Sequence, residues 1–371
     1  MHLKSLHLIN FKNHKGGDLS FSKQVNCLLG DNGSGKTNIL DALHYLCFCK
    51  SYFNPIDSQN INHDQQFMLV KGEFDRLGKK EQVSCGVKKG SKKVFKRNDK
   101  QYKRLMDHIG RFPAVIIAPD DSELIQGGSE VRRKFLDIVI SQYDKNYLEA
   151  LMSYNKALVQ RNNLFKYFAE NRVWDVEMIE PWDNKMAPLA IQISKARRDF
   201  IEKFTPVFNS TYEEISNGVE NVSLGYNSRV TGEEKDFLEL LENARGDDRR
   251  LRRTTTGVHR DDLVFKIHGY PMKKFGSQGQ QKTYLVALRL AQLSFLEKAT
   301  GVKPILLLDD IFDKIDEKRV KALMNRVTNG SFGQVFITDT HLGRIPEMFK
   351  TTGTDVNVFE VVDGEVNTLA S

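Results

Sequence analysis

The chain has 371 residues, of which 40% are hydrophobic and 28% charged, and its formal net charge is +7. This length exceeds the ~250 to 300 residues at which a single hydrophobic core stops growing, so we expect two domains or lobes. No stretch approaches the ~18 apolar residues of a membrane span, and the first residues lack the apolar core of a secretory signal, so we expect a cytoplasmic protein.

The first 120 residues alternate short strand-like runs with one helix. TNILDALHYLCF, at 37–48, spaces its apolar residues as an amphipathic helix does. The strand-like runs are LHLINF, LSFS, VNCLLG, FMLVKGEF, QVSCGV and FPAVIIAP, at 6–11, 19–22, 25–30, 67–74, 82–87 and 112–119. Four cysteines without a C-x-x-C pair indicate reduced thiols, most of them in the core.

The positive charge is concentrated in one segment. Nine Lys or Arg and one acid lie between Lys88 and Arg104, so this stretch carries +8 and the rest of the chain −1. Lys-Gly-Ser-Lys and Asn-Asp-Lys turns within it predict a hairpin. The segment contacts a DNA backbone, or it is a solvated hairpin that keeps the protein soluble. The candidate DNA contacts are Lys92, Lys93, Lys96 and Arg97.

From about Asp121 the pattern becomes helical. Apolar residues recur at steps of three and four over 131–138, 148–158 and 186–204. Pro188 lies within the third stretch, so we expect that helix to begin near it or to kink there. NARGDDRRLRR, at 243–253, is typical of a boundary loop.

Strands and one further helix return after this loop. The segments are the strands 261–269, 304–312 and 333–340 and a helix over 282–298. We therefore predict an α/β nucleotide-binding domain over 1–120 and 254–371, interrupted by a mainly α-helical arm over 121–253.

A phosphate-binding loop follows the run VNCLLG. Gly30, Gly35, Lys36 and Thr37 satisfy G-x-x-x-x-G-K-[ST], a pattern whose backbone N–H groups surround phosphates while a helix begins behind them. We expect Lys36 to reach the β- and γ-phosphates and the Thr37 hydroxyl to ligate Mg²⁺. The other loop residues expected to contact the nucleotide are Asp31, Asn32, Gly33, Ser34 and Asn38.

A second Mg²⁺ ligand is predicted where a buried strand ends. Asp309 and Asp310 follow the apolar run 305–308 and should emerge at the carboxyl edge of the sheet. Asp309 is the expected Mg²⁺ partner, and Asp310 is placed to orient or deprotonate an attacking water. Because Asp310 is one methylene shorter than glutamate, we expect a turnover below the ~10 s⁻¹ median of enzymes.

A second phosphate-binding turn is predicted before the helix at 282–298. Ser277, Gln278, Gly279 and Gln280 precede this helix, whose N-terminus can bind phosphate oxygens. One nucleotide rarely needs two such sites, so we expect a nucleotide held between two subunits, with Ser277 of one facing the phosphate loop of the other. A plain helix cap is the alternative interpretation.

Together these segments resemble the ABC-type ATPases and, within their SMC-like branch, the RecF family of recombination mediators. GVHRDD, Gly257–Asp262, and the Asp309–Asp310 pair are specific to this resemblance. It implies an ABC-type ATPase head and an ATP-dependent homodimer that binds gapped DNA or single-strand to double-strand junctions. The dimer would hydrolyse ATP slowly, in the presence of Mg²⁺, and work with RecR and RecO to place RecA on DNA.

The resemblance also implies roles for single residues. Lys12 and Asn13 would lie near the nucleotide, and Asp316 would belong to a segment that touches the partner subunit. Lys50 and Phe53 occupy the region where many family members carry arginines.

Three further positions are less defined. His341 falls about one position late for the switch histidine of ABC proteins, and no Q-loop glutamine stands out near APDDSELIQ. Arg132 and Arg133 are expected to face phosphate, DNA, a structural carboxylate or only solvent.

Other classes of ATPase share parts of this pattern. A transporter subunit has the same loop, turn and acids, but here Lys36 and Ser277 are 241 residues apart (277 − 36), more than we expect in a compact transporter ATPase. A metabolic P-loop kinase has no use for the Ser277 turn. A long coiled-coil SMC protein needs more chain than 121–253, which as an antiparallel helical pair reaches less than ~100 Å.

Overall fold

The computed structural model of the chain describes residues 1–216, 220–311, 326–341 and 353–369, together with 324, 343, 348 and 349. The chain divides into two compact units, Met1–Asp121 with Val286–Ser371, and Ser122–Leu285. The first unit contains two β-sheets, and the second contains long helices with a small sheet, so the mixed α/β class is confirmed. The second unit extends past 253 to Leu285, while the inferred domain boundaries stay a prediction.

The elements are numbered in chain order over the described residues. The strands are β1 (His2–Phe11), β2 (His14–Ser20), β3 (Val25–Leu29), β4 (Phe67–Arg76), β5 (Lys79–Lys88), β6 (Val94–Arg97), β7 (Lys100–Gln101), β8 (Ala114–Ile117), β9 (Val222–Asn227), β10 (Asp262–Ile267), β11 (Tyr270–Pro271), β12 (Ile305–Leu308), β13 (Val335–Asp339), β14 (Val356–Val362) and β15 (Glu365–Leu369). The α-helices are α1 (Lys36–Phe48), α2 (Glu123–Gln126), α3 (Ser129–Ser141), α4 (Lys145–Asn171), α5 (Glu180–Ser216), α6 (Glu234–Asn243), α7 (Arg245–Leu251), α8 (Met272–Phe275) and α9 (Gln278–Thr300).

One sheet of the first unit is antiparallel, in the order β2-β1-β4-β5-β6-β7. Along β5 the residues Glu81, Val83, Cys85 and Val87 are buried and alternate with half-buried ones, as expected for a strand with one covered face. The segment after β5 turns back through β6 and β7, so the basic stretch does form hairpins, as predicted.

The other sheet of the first unit has the order β15-β14-β3-β13-β12-β8, and its neighbours are parallel except for the β14–β15 pair. Every residue of β3, β8, β12 and β13 is buried, which explains why these strands are continuous apolar runs in the sequence. Leu29 pairs with Asp339, and Leu308 pairs with Ile337. The strand ends that precede the phosphate loop and Asp309 therefore meet at one carboxyl edge.

The second unit is built around α4 and α5, beside a sheet in the order β11-β10-β9. α5 begins at Glu180, so Pro188 lies well inside the helix and does not mark its start. The prediction of a boundary loop over 243–253 was wrong, because α7 occupies most of it. Asp247 and Asp248 favour the first turn of α7 through the helix dipole, and Asp248 is fully buried in an ion pair with Arg161.

Two observations bear on the expectations drawn from the composition. No helix among the described residues is long and apolar enough to cross a membrane. The cysteines are free and buried, as expected for core residues. Burial raises the pKa of the Cys27, Cys47 and Cys85 thiols to about 12, which keeps them protonated and unreactive.

Gly257 carries the first stability prediction. Its φ is 126°, and a Cβ there would overlap the hydroxyl of the buried Tyr154. We expect Gly257→Ala to lower the free energy of unfolding by about 2–4 kcal/mol, through backbone strain and overpacking. Urea unfolding measures this change.

Gly246 in α7 provides the matched control. A Cβ at Gly246 meets no atom within 4 Å. Gly246→Ala should therefore raise the free energy of unfolding by about 0.4–1 kcal/mol, because alanine restricts the unfolded chain. Equal midpoints for Gly257→Ala and the wild-type chain would contradict the argument.

Candidate nucleotide-binding site

The phosphate loop joins β3 to α1 as the sequence predicted. Gly33 and Gly35 have φ of 84° and 117°, in the left-handed region that favours glycine. A Cβ at Gly35 would lie 2.6 Å from Asn13 Nδ2, so the loop packs too closely against Asn13 for any residue with a side chain at position 35. The backbone N–H groups at the start of α1 thus surround a space suited to phosphate.

Lys36 is buried within this loop. Its Nζ donates to the carbonyl oxygens of Gly30, at 2.7 Å, and Asp31, at 2.8 Å. Burial lowers the pKa of the Lys36 amine, and the carboxylates of Asp310 and Asp309 oppose this shift. The ammonium group is therefore held in the loop by two weak acceptors that phosphate oxygens can replace.

Thr37 and Asp309 are brought together from distant parts of the chain, as the sequence predicted. The Thr37 hydroxyl donates to Asp309 Oδ1 at 2.9 Å, and the Thr338 hydroxyl donates to the same oxygen at 3.0 Å. Asp309 is only 4% exposed. Burial raises the pKa of its carboxyl group, and the two hydroxyl bonds counteract that rise.

Asp310 follows in a left-handed backbone conformation, with φ of 48°. Its N–H donates to the Thr338 hydroxyl at 2.8 Å. Thr338 therefore positions both acids: its hydroxyl donates to the Asp309 carboxylate and accepts from the Asp310 N–H. Sequence reasoning missed this residue; the signal was a threonine at the end of a strand, β13, that is otherwise apolar up to Asp339.

Asn13 and His14 brace the loop from the β1–β2 turn. Asn13 Nδ2 donates to Ser34 O at 2.9 Å, and Asn13 Oδ1 accepts from Asn38 Nδ2 at 2.7 Å. His14 Nε2 lies 3.0 Å from Gly35 O. The resemblance pointed to Asn13; His14, its neighbour in FKNH, was missed.

Lys12 is held by α1. Its Nζ lies 2.6 Å from Asp41 Oδ2, and the Lys12 side chain is only 16% exposed. Asp41 also accepts from the Ser51 hydroxyl and the Tyr52 N–H, and the Phe53 ring centroid lies 5.5 Å from Lys12 Nζ. The segment after α1 therefore packs around Lys12.

The turn before α9 is a reciprocal helix cap. Ser277 Oγ accepts from the Gln280 N–H at 3.2 Å, and Gln280 Oε1 accepts from the Ser277 N–H at 2.7 Å. Gln280 Nε2 also donates to Glu220 at 2.8 Å. Ser277 and Gln278 are exposed, while Gly279 and Gln280 are half-buried. The first turn of α9 is therefore capped by side chains of the turn and is also accessible to solvent.

The predicted DNA contacts differ in their surroundings. Lys93 Nζ lies 2.8 Å from Asp57 and donates to a backbone carbonyl at 2.7 Å, with 15% of the side chain exposed. Arg97 lies 3.7 Å from a carboxylate oxygen of Glu81. These two side chains already have partners within the fold. Of the four candidates, Lys92 and Lys96 are exposed.

Arg132 and Arg133 make structural contacts, one of the alternatives left open by the sequence. The Arg132 guanidinium binds Asp262 through two bonds of 2.7 and 3.0 Å. Arg133 Nη1 donates to the Asp261 carbonyl at 2.6 Å. Their side chains therefore hold the GVHRDD segment against α3.

The last two positions lie after β12. His341 is exposed, and its backbone N–H donates to Asp339 Oδ1 at 3.3 Å. Asp316 lies outside the described residues, so its predicted contact with a partner subunit stays a prediction.

The oxygens at the strand edge fit a magnesium ion. Within the described part of the chain, no group of three or more His, Cys, Asp or Glu forms a site held by protein alone. Mg²⁺ in phosphate sites takes only one or two protein oxygens and completes its shell with phosphates and water. The Thr37 hydroxyl and the Asp309 carboxylate, 2.9 Å apart, are such a pair.

A parallel sheet with a phosphate loop after β3 and an acid pair after β12 defines the core of a P-loop ATPase. A family model described as the RecF/RecN/SMC N terminal domain matches residues 2–365. The chain belongs to this family of ABC-type ATPases and, within it, to the RecF family of DNA replication and repair proteins. The fold class and the resemblance inferred from the sequence are therefore confirmed.

The similar proteins cover essentially the whole chain. The RecF protein of Flavobacterium johnsoniae is 47% identical, over 97% of this chain and all of its own length. That of Phocaeicola vulgatus is 48% identical, over 99% of this chain and 98% of its own length.

Comparison with solved structures leads to the same family. A structure described as RecF-ATP in the RecFOR pathway has a TM-score of 0.90 and 32% identity, and covers all of this chain and 98% of its own. An Smc head domain from Pyrococcus furiosus, at 17% identity and a TM-score of 0.57, shares the fold alone. Membership of the RecF family sets the transporter and kinase alternatives aside.

Proposed function

We propose that the chain is an ATP-dependent DNA-binding protein of recombinational repair that works as an ATP-induced homodimer. The contact between Thr37 and Asp309 is the observation that carries this proposal, because it joins the phosphate loop to the acid edge in the arrangement that ATP with Mg²⁺ requires. The relatives named RecF are DNA replication and repair proteins, and one solved relative is described as RecF-ATP.

ATP binding would use groups that the chain already orients. Lys36 exchanges its two carbonyl acceptors for β- and γ-phosphate oxygens, and the loop N–H groups bind the remaining oxygens. Thr37 and Asp309 hold the Mg²⁺ ion, which neutralises phosphate charge when bound. Asp310 orients the attacking water and accepts its proton.

The exposed turn at Ser277 supplies the second half of the site in a dimer. It presents the N-terminus of α9, whose orphan N–H groups suit the γ-phosphate of a nucleotide bound by the other subunit. ATP would then join two chains, and hydrolysis would release them. Gln278, Gly279 and Gln280 belong to this turn.

We infer that the DNA partner is a gapped duplex or a junction of single and double strands. Lys92 and Lys96, which are exposed on the basic hairpin, would contact its backbone without reading sequence. The action on DNA would be shared with RecR and RecO and would lead to the loading of RecA. A cytoplasmic location fits these partners.

The mass of the protein in solution tests the dimer. Light scattering should give a doubled mass with ATP and a single mass with ADP, and the Lys36→Arg variant should stay single with either nucleotide. Gapped DNA should bind tightly only with ATP, and more weakly as salt rises. A single mass under every condition, or DNA binding that ignores both ATP and salt, would refute the proposal.

Turnover should be slow because the Asp310 carboxylate is short. We expect a turnover number below the ~10 s⁻¹ median of enzymes, and a further loss in Asp310→Asn with ATP binding retained. Asp64→Asn, at an exposed position of the same unit, is the control and should leave turnover unchanged. A rate above that median would contradict the assigned role.

A further inference from the structure

An open cleft lies in the second unit where β9 ends and β10 begins. Its volume is about 590 Å³, within the range of ligand sites. The register of the two strands pairs Asn227 with Asp262 at this end of the sheet. The lining residues are Tyr226, Asn227, Ser228, Arg229, Thr255, Gly257, Arg260, Asp261 and Asp262.

The GVHRDD segment forms one wall, and its first half is committed to the fold. Gly257 leaves room for the Tyr154 hydroxyl, and Val258 is buried in the core. His259 Nδ1 lies 3.0 Å from that hydroxyl, and its Nε2 lies 3.1 Å from Thr254 O. These contacts therefore position the segment.

The two carboxylates of the segment are ion-paired with arginine side chains. Asp261 accepts from Arg197 Nη1 at 3.0 Å and from the Tyr226 hydroxyl. Asp262 is bound on both oxygens by Arg132. Each carboxylate therefore has an arginine partner, although Arg197 also pairs with Asp137.

Arg260 takes no part in the contacts described above and is available to the cleft. It is exposed, and its Nε has only a long bond of 3.4 Å to Thr255 O. Arg229, on the opposite strand end, is exposed as well. Within the described residues neither guanidinium forms an ion pair, so the cleft carries two uncompensated positive charges beside the polar side chains of Thr255 and Ser228.

We propose that this cleft binds phosphate groups of the DNA backbone through Arg229 and Arg260. Guanidinium groups match phosphate oxygens with two parallel bonds. Tyr226, the one aromatic among the described residues of the lining, is committed to Asp261 through its hydroxyl, so the cleft is suited to backbone contact that is independent of sequence. The inference rests on the proposed function and adds a DNA contact in the second unit to the basic hairpin of the first.

The sequence before the cleft carries further positive charge. Arg252 and Arg253 lie a few residues before the GVHRDD segment, and both are exposed. A small free anion would contact the cleft alone, whereas the consecutive phosphates of a polynucleotide can contact several cations in a row. The open form of the cleft and the arginines leading to it favour a chain over inorganic phosphate or a mononucleotide, which share its chemistry.

The salt dependence of DNA binding tests the proposal. The affinity of a fluorescent gapped duplex for the protein with ATP is measured at several salt concentrations, for the wild-type chain and for Arg229→Gln/Arg260→Gln. We expect several-fold weaker binding and a slope of log K against log salt that is smaller by about 2, one for each lost phosphate contact. Arg260→Lys keeps the charge and should keep the slope.

A matched control removes the same charge from the second unit outside the cleft. Lys166 and Lys203 are exposed, so Lys166→Gln/Lys203→Gln should leave the slope unchanged. Unchanged urea midpoints and ATP turnover in the cleft variant show that its fold and nucleotide site are intact.

The outcomes separate the two levels of inference. A wild-type chain that binds DNA, with the same slope in the cleft variant and the control, overturns the cleft alone. Calorimetric binding of inorganic phosphate or a mononucleotide that the cleft variant loses, at an unchanged DNA slope, identifies a free anion and also overturns it. A wild-type chain that binds no DNA overturns both the proposed function and this inference.

Discussion

Arg161→Met is expected to lower the free energy of unfolding by about 3–5 kcal/mol, the cost of leaving buried charges without a partner. Arg161 is fully buried on α4. Its Nε donates to Asp183 on α5 at 2.6 Å, and its Nη1 donates to Asp248 on α7 at 2.5 Å and to Thr254 at 2.9 Å. One guanidinium therefore joins three helices, and methionine fills its volume without its charge.

Urea unfolding of the variant measures this effect, and an exposed ion pair on α7 supplies the control. Arg250 lies 2.8 Å from Asp247, with both side chains more than half exposed. Arg250→Met should change the free energy of unfolding by no more than about 0.5 kcal/mol, because exposed pairs contribute little. Equal losses in the two variants would show that burial does not govern the Arg161 network.

The parallel sheet and its phosphate loop could be predicted because their signals are local. The strands β3, β12 and β13 are buried on both faces and therefore appear as continuous apolar runs. The glycine pattern of the loop reflects backbone geometry that other residues rarely adopt. Such features depend on neighbouring residues only, so the sequence contains them.

The errors and omissions arose where partners lie far apart along the chain. The segment 243–253 lacks apolar periodicity, and its one buried acid, Asp248, has its cation 87 residues away at Arg161. In the same way, the basic pattern cannot show that Lys93 is paired with Asp57 while Lys92 is exposed. A charge pattern predicts that a side chain is exposed or contacts a ligand. Whether it has a partner inside the protein becomes visible only in the fold.

The candidate site shows the same division. Lys36, Thr37 and Asp309 belong to patterns with fixed chemistry, and the last two meet as expected. Thr338 and His14 carry no such pattern, although each positions a residue of the site. Their roles follow from the register of β13 beside β12 and from the close approach of the β1–β2 turn to the phosphate loop, neither of which periodicity reveals.

Lys36→Ala is expected to lower ATP turnover by about 100-fold to 1,000-fold, which is typical for removing one preorganised donor from a site of charge development. Lys36 Nζ is held 2.7 Å from Gly30 O and 2.8 Å from Asp31 O, so its position is fixed before the nucleotide arrives. Alanine removes the charge and leaves these carbonyl oxygens facing the phosphates. Phosphate release under saturating ATP measures the loss, and nucleotide affinity should fall as well.

The matched control is Lys23→Ala, which removes an exposed lysine two residues before β3 and should leave turnover unchanged. Thr37→Val gives a second comparison, because it keeps the shape of the side chain and removes the hydroxyl that donates to Asp309. We expect Thr37→Val to lose turnover with a weaker effect on nucleotide affinity, whereas Lys36→Ala loses both. If Lys36→Ala retained more than about a tenth of the turnover, electrostatic stabilisation of the phosphates would have to come from other residues.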